Sequence, residues 1–145
     1  MLHIRKQEPL SRHTSFGIGG PADMFVEVAG PLEIAEGIEL ALREKVPYFV
    51  IGGGTNILFS DAGYRGLVIR ISDGGMSVHG SVIEAGAGIS LKRITETARD
   101  QGLAGMANLA GIPGSFGGAI RGNAGAFGTE IGSLVRSVKV FNKDT

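Results

Sequence analysis

The sequence predicts a soluble α+β protein made of two small subdomains. The predicted elements run strand, helix, strand, strand, and then strand, helix, glycine-rich loop, strand. This order differs from the regular strand–helix alternation of a single long parallel sheet. The best break in the chain is the Ser-Asp-Gly-Gly stretch at residues 72–75. Residues 1–73 are therefore predicted to form the first subdomain and residues 74–145 the second.

Composition excludes several classes of protein. The 145 residues include 14 basic and 14 acidic side chains, and this zero balance argues against nucleic acid as a partner. The absence of cysteine excludes disulfides, thiolate nucleophiles and cysteine-ligated metals. His3, His13 and His79 lack the spacing of metal ligands, so we expect them at the surface or in the core, with no metal bound. No signal peptide or membrane-spanning stretch is evident, which predicts a cytoplasmic protein without a membrane partner.

In the first half, apolar spacing predicts three strands and one helix. Residues 2–10 are predicted to be a short polar opening, and residues 11–23 a loop punctuated by glycine. The helix begins at Pro31, which suits a first turn, and ends near Lys45. The three strands are expected at residues 24–28, 48–51 and 67–71.

In the second half, one helix is clearly signalled. Ser90 is typical of an N-cap and Gly102 of a C-terminal stop, so a helix is predicted between them. Residues 77–85 alternate like a single strand, and residues 138–141 begin another. The long glycine-rich stretch between helix and last strand is predicted to be a loop.

The first candidate site follows the strand at residues 48–51. Three glycines and then Thr55 and Asn56 offer backbone N–H groups and neutral side-chain donors, which suits a phosphate. A P-loop is excluded because the chain has no Gly-Lys pair. A dinucleotide fingerprint of the Rossmann type is disfavoured because Ile57 stands where its third glycine belongs. A phosphate-binding loop and a purely structural turn both stay open here.

The second candidate site is the glycine-rich stretch at residues 102–128. Its small residues would let a planar ligand lie against the backbone, with Ser115 and Asn123 bonding to the ligand edge. The nucleophile elbow of serine hydrolases requires a glycine at position 113, where this chain has proline. A close-packed crossover between helix and sheet explains the glycines equally well. Composition and spacing thus indicate two loops suited to a phosphate-bearing planar cofactor.

Three motifs together resemble the bacterial UDP-N-acetylenolpyruvoylglucosamine reductases. They are RHTSFGIGGPAD at residues 12–23, PYFVIGGGTNIL at residues 47–58, and LAGIPGSFGGAIRGNAGAFG at residues 109–128. Their order and spacing match over nearly the whole chain. The resemblance implies an FAD-binding fold of the vanillyl-alcohol-oxidase (PCMH) type, in which FAD lies between two α+β subdomains. The second subdomain would be incomplete in this chain.

The resemblance also implies which residues hold FAD. The glycines of the first loop with Thr55 and Asn56 would hold the pyrophosphate, and the second loop would line the pyrophosphate and the isoalloxazine. The implied cofactor-binding residues are Ile51, Gly52, Gly53, Gly54, Thr55, Asn56, Ile57, Leu58, Gly111, Ile112, Pro113, Gly114, Ser115, Gly117, Gly118, Asn123, Ala124 and Gly125.

The implied activity is the NADPH-dependent reduction of UDP-N-acetylglucosamine enolpyruvate to UDP-N-acetylmuramate in peptidoglycan synthesis. The family's catalytic arginine, serine and glutamate, and its substrate-binding domain, lie beyond the position of Thr145. We therefore expect no catalytic residue in this chain, and no activity from it alone. Three alternatives are a non-catalytic flavin- or nucleotide-binding module, the flavin subunit of a molybdenum hydroxylase, and a serine hydrolase acting through Ser115.

Overall fold

The computed structural model describes residues 2–72 and 74–142. These residues form two compact units. The first comprises residues 2–72 together with residues 141–142, and the second comprises residues 74–140. Within the described ranges, no helix has the length and apolar character needed to cross a membrane.

The first unit is built on a four-stranded mixed sheet. Strands β1 (Arg5–Pro9), β2 (Pro21–Val28), β3 (Tyr48–Ile51) and β4 (Tyr64–Ile71) lie in the order β1-β2-β4-β3. β1 pairs antiparallel with β2, whereas β4 pairs parallel with both β2 and β3. Helix α1 (Pro31–Glu44) connects β2 to β3. The carboxyl ends of β2, β3 and β4 therefore share one edge of the sheet.

The two faces of this sheet are covered by different parts of the chain. Side chains alternate between the faces along each strand. Helix α1 covers the first face, where the buried residues are Val26, Val28, Ile38, Leu40, Ala41, Leu67 and Ile69. The second face is covered by a 3-10 turn at Leu10–His13 and by the loop from β3 to β4. Its buried apolar residues are Leu10, Ala22, Phe25, Ile51, Phe59 and Val68.

In the first unit, the predicted helix and the strand at residues 48–51 are confirmed. The expectation of a polar opening at residues 2–10 is wrong, because β1 forms there by pairing with β2. The predicted loop at residues 11–23 is also wrong at both ends, since it begins in a 3-10 turn and β2 already starts at Pro21. Polar side chains hide β1 in the sequence, because Arg5 contacts β2 through an ion pair with Glu27 and through its guanidinium, which lies over the Phe25 ring.

The second unit combines hairpins with helices around a small core. Its buried apolar cluster comprises Leu91, Leu109, Ala119 and Ile131. Its elements are β5 (Met76–His79), β6 (Val82–Ala85), α2 (Leu91–Asp100), α3 (Phe116–Arg121), β7 (Gly125–Ala126) and β8 (Thr129–Glu130). β5 pairs with β6, and β7 with β8, both antiparallel.

In the second unit, the helix capped by Ser90 is confirmed as α2, with the Ser90 side chain accepting a bond from the Arg93 N–H. The single strand expected at residues 77–85 is wrong, because the chain turns at residues 80–81 to form the β5–β6 hairpin. The loop expected through residues 102–128 contains helix α3. The strand expected at residues 138–141 is absent from the described structure, where these residues are largely exposed.

Candidate functional site

The first glycine-rich loop starts where the chain changes from one face of the sheet to the other. The chain enters β3 from α1, on the first face, and the loop after β3 returns over the second face. In open sheets with parallel strands, ligands bind outside the carboxyl ends of the strands at such points. Gly53, Asn56 and Leu58 are exposed there, whereas Gly54 is buried.

Residues 13–15 contact this loop and hold its backbone through hydrogen bonds. The Ser15 N–H donates to the Gly54 carbonyl at 3.0 Å, and the Ser15 hydroxyl donates to the Thr55 carbonyl at 3.3 Å. Gly54 has a φ of +66°, and a Cβ at this position would lie 1.9 Å from the His13 carbonyl oxygen. A side chain at position 54 is thus excluded by the fold itself.

A buried polar network holds His13 in place. Its Nε2 lies 2.9 Å from Glu8 Oε1, its Nδ1 lies 3.3 Å from Arg70 Nη1, and its ring stacks on Phe25 with centroids 4.2 Å apart. A carboxylate only accepts and a guanidinium only donates, so the arrangement fits an Nε2 that donates to Glu8 and an Nδ1 that accepts from Arg70. The hydrogen bond from His13 lowers the pKa of Glu8; burial opposes this shift, and the Arg5 charge supports it.

The second glycine-rich loop leads into helix α3. Gly111 and Pro113 are exposed, while Ile112 packs against the core of this unit. Among the described residues, Gly111 has no neighbour within 4 Å of where a Cβ would stand, and its φ is not left-handed. The fold therefore gives no reason for a glycine at this position. Gly114 belongs to the scaffold, because its carbonyl accepts the Leu91 N–H.

The first backbone N–H groups of α3 all have partners within the unit. The N–H groups of Phe116 and Gly117 donate to the carbonyls of Ile89 and Ala87, at 2.7 and 2.8 Å. The Gly118 N–H donates to the hydroxyl of Ser115, which is 4% exposed. Ser115 thus acts as a buried helix cap, and its position gives no support to a role as a hydrolase nucleophile.

Asn123 also has a structural role in the second unit. Its φ is +46°, its amide nitrogen donates to Glu130 Oε2 at 2.8 Å, and its amide oxygen accepts the Gly132 N–H at 3.0 Å. Ala124 is tied back to α3 by a bond from its N–H to the Ala119 carbonyl. These bonds connect the end of α3 to the β7–β8 hairpin.

The structure places the expected site residues in two groups. Residues 51–58 lie together in the first unit, and residues 111–125 lie together in the second. The sequence reasoning did not assign residues 13–15 to a site, although they contact the first loop. The signal was available in the RHTSFGIGGPAD motif, from which no site residue was taken.

Each loop, taken within its own unit, fits part of a cofactor: the first loop suits a phosphate and the second a flat ring. None of the eighteen expected residues is charged, so a phosphate would meet backbone N–H groups and the neutral side chains of Thr55 and Asn56. The open space at Gly111 would admit the close approach of a ligand. Within the described residues, no cluster of three or more histidines and carboxylates is arranged to hold a metal ion.

Comparison with known proteins finds relatives that share one name. A relative from Solibacter usitatus named UDP-N-acetylenolpyruvoylglucosamine reductase is 44% identical over 97% of this chain and 45% of its own length. One of the same name from Caldanaerobacter subterraneus is 43% identical over 94% of this chain and 46% of its own. The chain spans just under half the length of these relatives.

Comparison with solved structures finds an enzyme of the same kind as these relatives. The crystal structure of UDP-N-acetylenolpyruvylglucosamine reductase (MurB) from Thermus caldophilus matches 90% of this chain and 46% of that chain, with a TM-score of 0.72 and 32% identity. The α+β fold expected from the sequence is confirmed.

Residues 22–145 match the family described as FAD binding domain. This match covers most of the chain, which therefore belongs to the FAD binding domain family.

Proposed function

We propose that this chain is the FAD-binding part of a UDP-N-acetylenolpyruvoylglucosamine reductase. The reaction proposed for the whole protein is the reduction of UDP-N-acetylglucosamine enolpyruvate to UDP-N-acetylmuramate in peptidoglycan synthesis, with NADPH as the electron donor. The names of the relatives support this proposal. Since the chain spans under half of their length, the activity and the UDP-sugar substrate belong to the proposal. The NADPH donor and a cytoplasmic location stay predictions.

The observation that carries the proposal is the position of the first loop. It lies at the carboxyl edge of parallel strands, where the chain changes faces, and inside the stretch that matches the FAD binding domain family. Its exposed residues are uncharged, which suits a pyrophosphate bound through backbone N–H groups.

The proposed roles of the residues follow from their surroundings. Residues 52–56 hold the phosphates, Ile51 and Ile57 pack in the apolar cluster beneath that loop, and the exposed Leu58 contacts the cofactor. Gly111 leaves room for the ligand, while Ser115 and Asn123 fix the backbone of the second loop through bonds to Gly118 and Gly132. When bound, FAD supplies hydride transfer between a nicotinamide donor and the substrate.

Titration with FAD tests this proposal directly. The change in flavin fluorescence on titration measures the binding. We expect saturable binding that is weakened in Asn56→Ala, since Asn56 is exposed in the first loop. Ser81→Ala is the matched control, because Ser81 is exposed in the turn between β5 and β6. An absence of saturable binding by the unsubstituted chain would contradict the proposal.

A further inference from the structure

The inference concerns the segment His13–Thr14–Ser15, called here the strap, and it rests on the proposed function. Both hydrogen-bond donors of Ser15 contact the first loop: its N–H donates to the Gly54 carbonyl and its hydroxyl to the Thr55 carbonyl. The His13 carbonyl fills the space where a side chain at position 54 would stand. The strap therefore touches the loop from one side through three backbone and side-chain groups.

These two hydrogen bonds fix the orientation of two peptide planes. In a trans peptide, the carbonyl and the N–H of the following residue point in opposite directions, and the described chain has no cis peptide. The Gly54 carbonyl faces the strap, so the Thr55 N–H points away from it. The Thr55 carbonyl also faces the strap, so the Asn56 N–H points away as well.

The strap is itself anchored to the sheet through His13. The imidazole is 6% exposed, bonded to Glu8 on one side and Arg70 on the other, and stacked on Phe25. Arg70 lies on β4, directly opposite Ile51, the last residue before the first loop. Arg70, which binds His13, and Ile51, which precedes the loop, are thus paired neighbours in the same sheet.

We propose that the strap positions the first loop for FAD, by turning the N–H groups of Thr55 and Asn56 towards the phosphates. Ser15 is a positioning residue because it acts through the loop backbone, and His13 holds the strap against the sheet. If the strap served folding alone, loss of the Ser15 hydroxyl would leave the affinity for FAD unchanged.

The test compares three serine variants by FAD titration. Ser15→Ala removes the bond to the Thr55 carbonyl and is expected to raise the Kd for FAD about fivefold, the effect of one ordinary hydrogen bond. Ser15→Thr keeps both donors and is expected to stay within about twofold of the unsubstituted chain. Ser72→Ala is the matched control, since Ser72 also donates its N–H and hydroxyl to one strand carbonyl, that of Val28, and we expect no change.

A second readout separates positioning from general loss of structure. In NMR spectra, the resonance of the Asn56 backbone amide proton should move downfield when FAD binds to the unsubstituted chain. At saturating FAD, this change should be smaller in Ser15→Ala. His13→Gln keeps a donor and an acceptor at the anchor and should reduce the same shift. Unchanged affinity and an unchanged Asn56 shift in both variants would overturn the proposal. If the unsubstituted chain fails to bind FAD, the proposed function falls, and the strap's role in FAD binding falls with it.

Discussion

The two glycine-rich loops use glycine for different physical reasons. At Gly54 in the first unit, the backbone of His13 occupies the space of a side chain and the φ is left-handed. At Gly111 in the second unit, the space is open and the φ is ordinary. Folding requires a glycine at position 54, whereas at position 111 no contact within the fold requires one, and a bound ligand would. A glycine-rich motif is therefore evidence for a binding site only at positions that the fold leaves free.

The largest expected effect is at Gly54. Gly54→Ala should lower the free energy of unfolding of the first unit by about 3 kcal/mol, from a left-handed φ plus overlap with the His13 carbonyl. Tyrosine fluorescence during denaturant unfolding measures this, because both tyrosines, Tyr48 and Tyr64, lie in the first unit. Gly17→Ala is the control: its φ is +68°, but no atom of the described part of the chain lies within 4 Å of where its Cβ would stand, so only the backbone cost should appear. Equal losses in the two variants would show that the strap does not press on Gly54.

A smaller loss is expected at Gly117, where the second loop packs on its own unit. A Cβ there would lie 2.7 Å from the Cβ of Ala87, so Gly117→Ala should destabilise the second unit by about 2 kcal/mol. Hydrogen exchange of the α3 amides measures the effect. Gly122→Ala, whose Cβ would meet its first neighbour at 3.5 Å, should stay close to the unsubstituted chain. Similar losses at both positions would contradict the packing role of Gly117.

The cap of α3 should contribute about 1 kcal/mol. Ser115→Ala removes the acceptor of the Gly118 N–H and leaves that donor without its side-chain partner. Ser90→Ala removes the corresponding cap of α2, where the hydroxyl accepts the Arg93 N–H. Because Ser115 is buried and Ser90 is exposed, we expect the larger loss at Ser115 in thermal unfolding followed by circular dichroism. A larger loss of stability in Ser90→Ala than in Ser115→Ala would contradict the capping role of Ser115.

The anchor of the strap should make the first unit sensitive to acid. The pKa of Glu8 is lowered in the folded chain from an ordinary value of 4.5, chiefly by the hydrogen bond from His13. Glu8 therefore stabilises the fold above pH 4.5, and this contribution is lost as the pH falls through the lowered pKa. Tyrosine-detected unfolding between pH 6 and about pH 3 should show this decline, and Glu8→Gln should flatten it. An unchanged pH dependence in Glu8→Gln would rule out Glu8 as the cause.

The sequence predicted elements well where one physical signal dominated. The strand at residues 48–51 is a plain apolar run, and α2 carries a serine cap, so both are found as expected. β1 was missed because Arg5 pairs with Glu27 of β2, a residue that only the folded sheet brings next to it. Helix α3 was missed because two glycines disfavour a helix, and its stability depends on the Ser115 cap and on burial of Ala119.

The candidate site was predictable in part for the same reason. Glycines next to a buried strand indicated the first loop, but the sequence could not separate glycines needed for packing from those left open. That distinction depends on contacts between distant residues, such as His13 with Gly54 and Ala87 with Gly117. The strap was likewise beyond reach, because its two bonds join residues about forty positions apart.

The most direct test of the account is to measure FAD affinity and stability together in Gly111→Leu. Because position 111 is open and has an ordinary φ, the free energy of unfolding should change by less than about 0.5 kcal/mol. The leucine side chain should occupy the space proposed for the ligand, so we predict that the Kd for FAD rises more than about tenfold. Unchanged FAD affinity in this stable variant would contradict the claim that the second loop binds the cofactor.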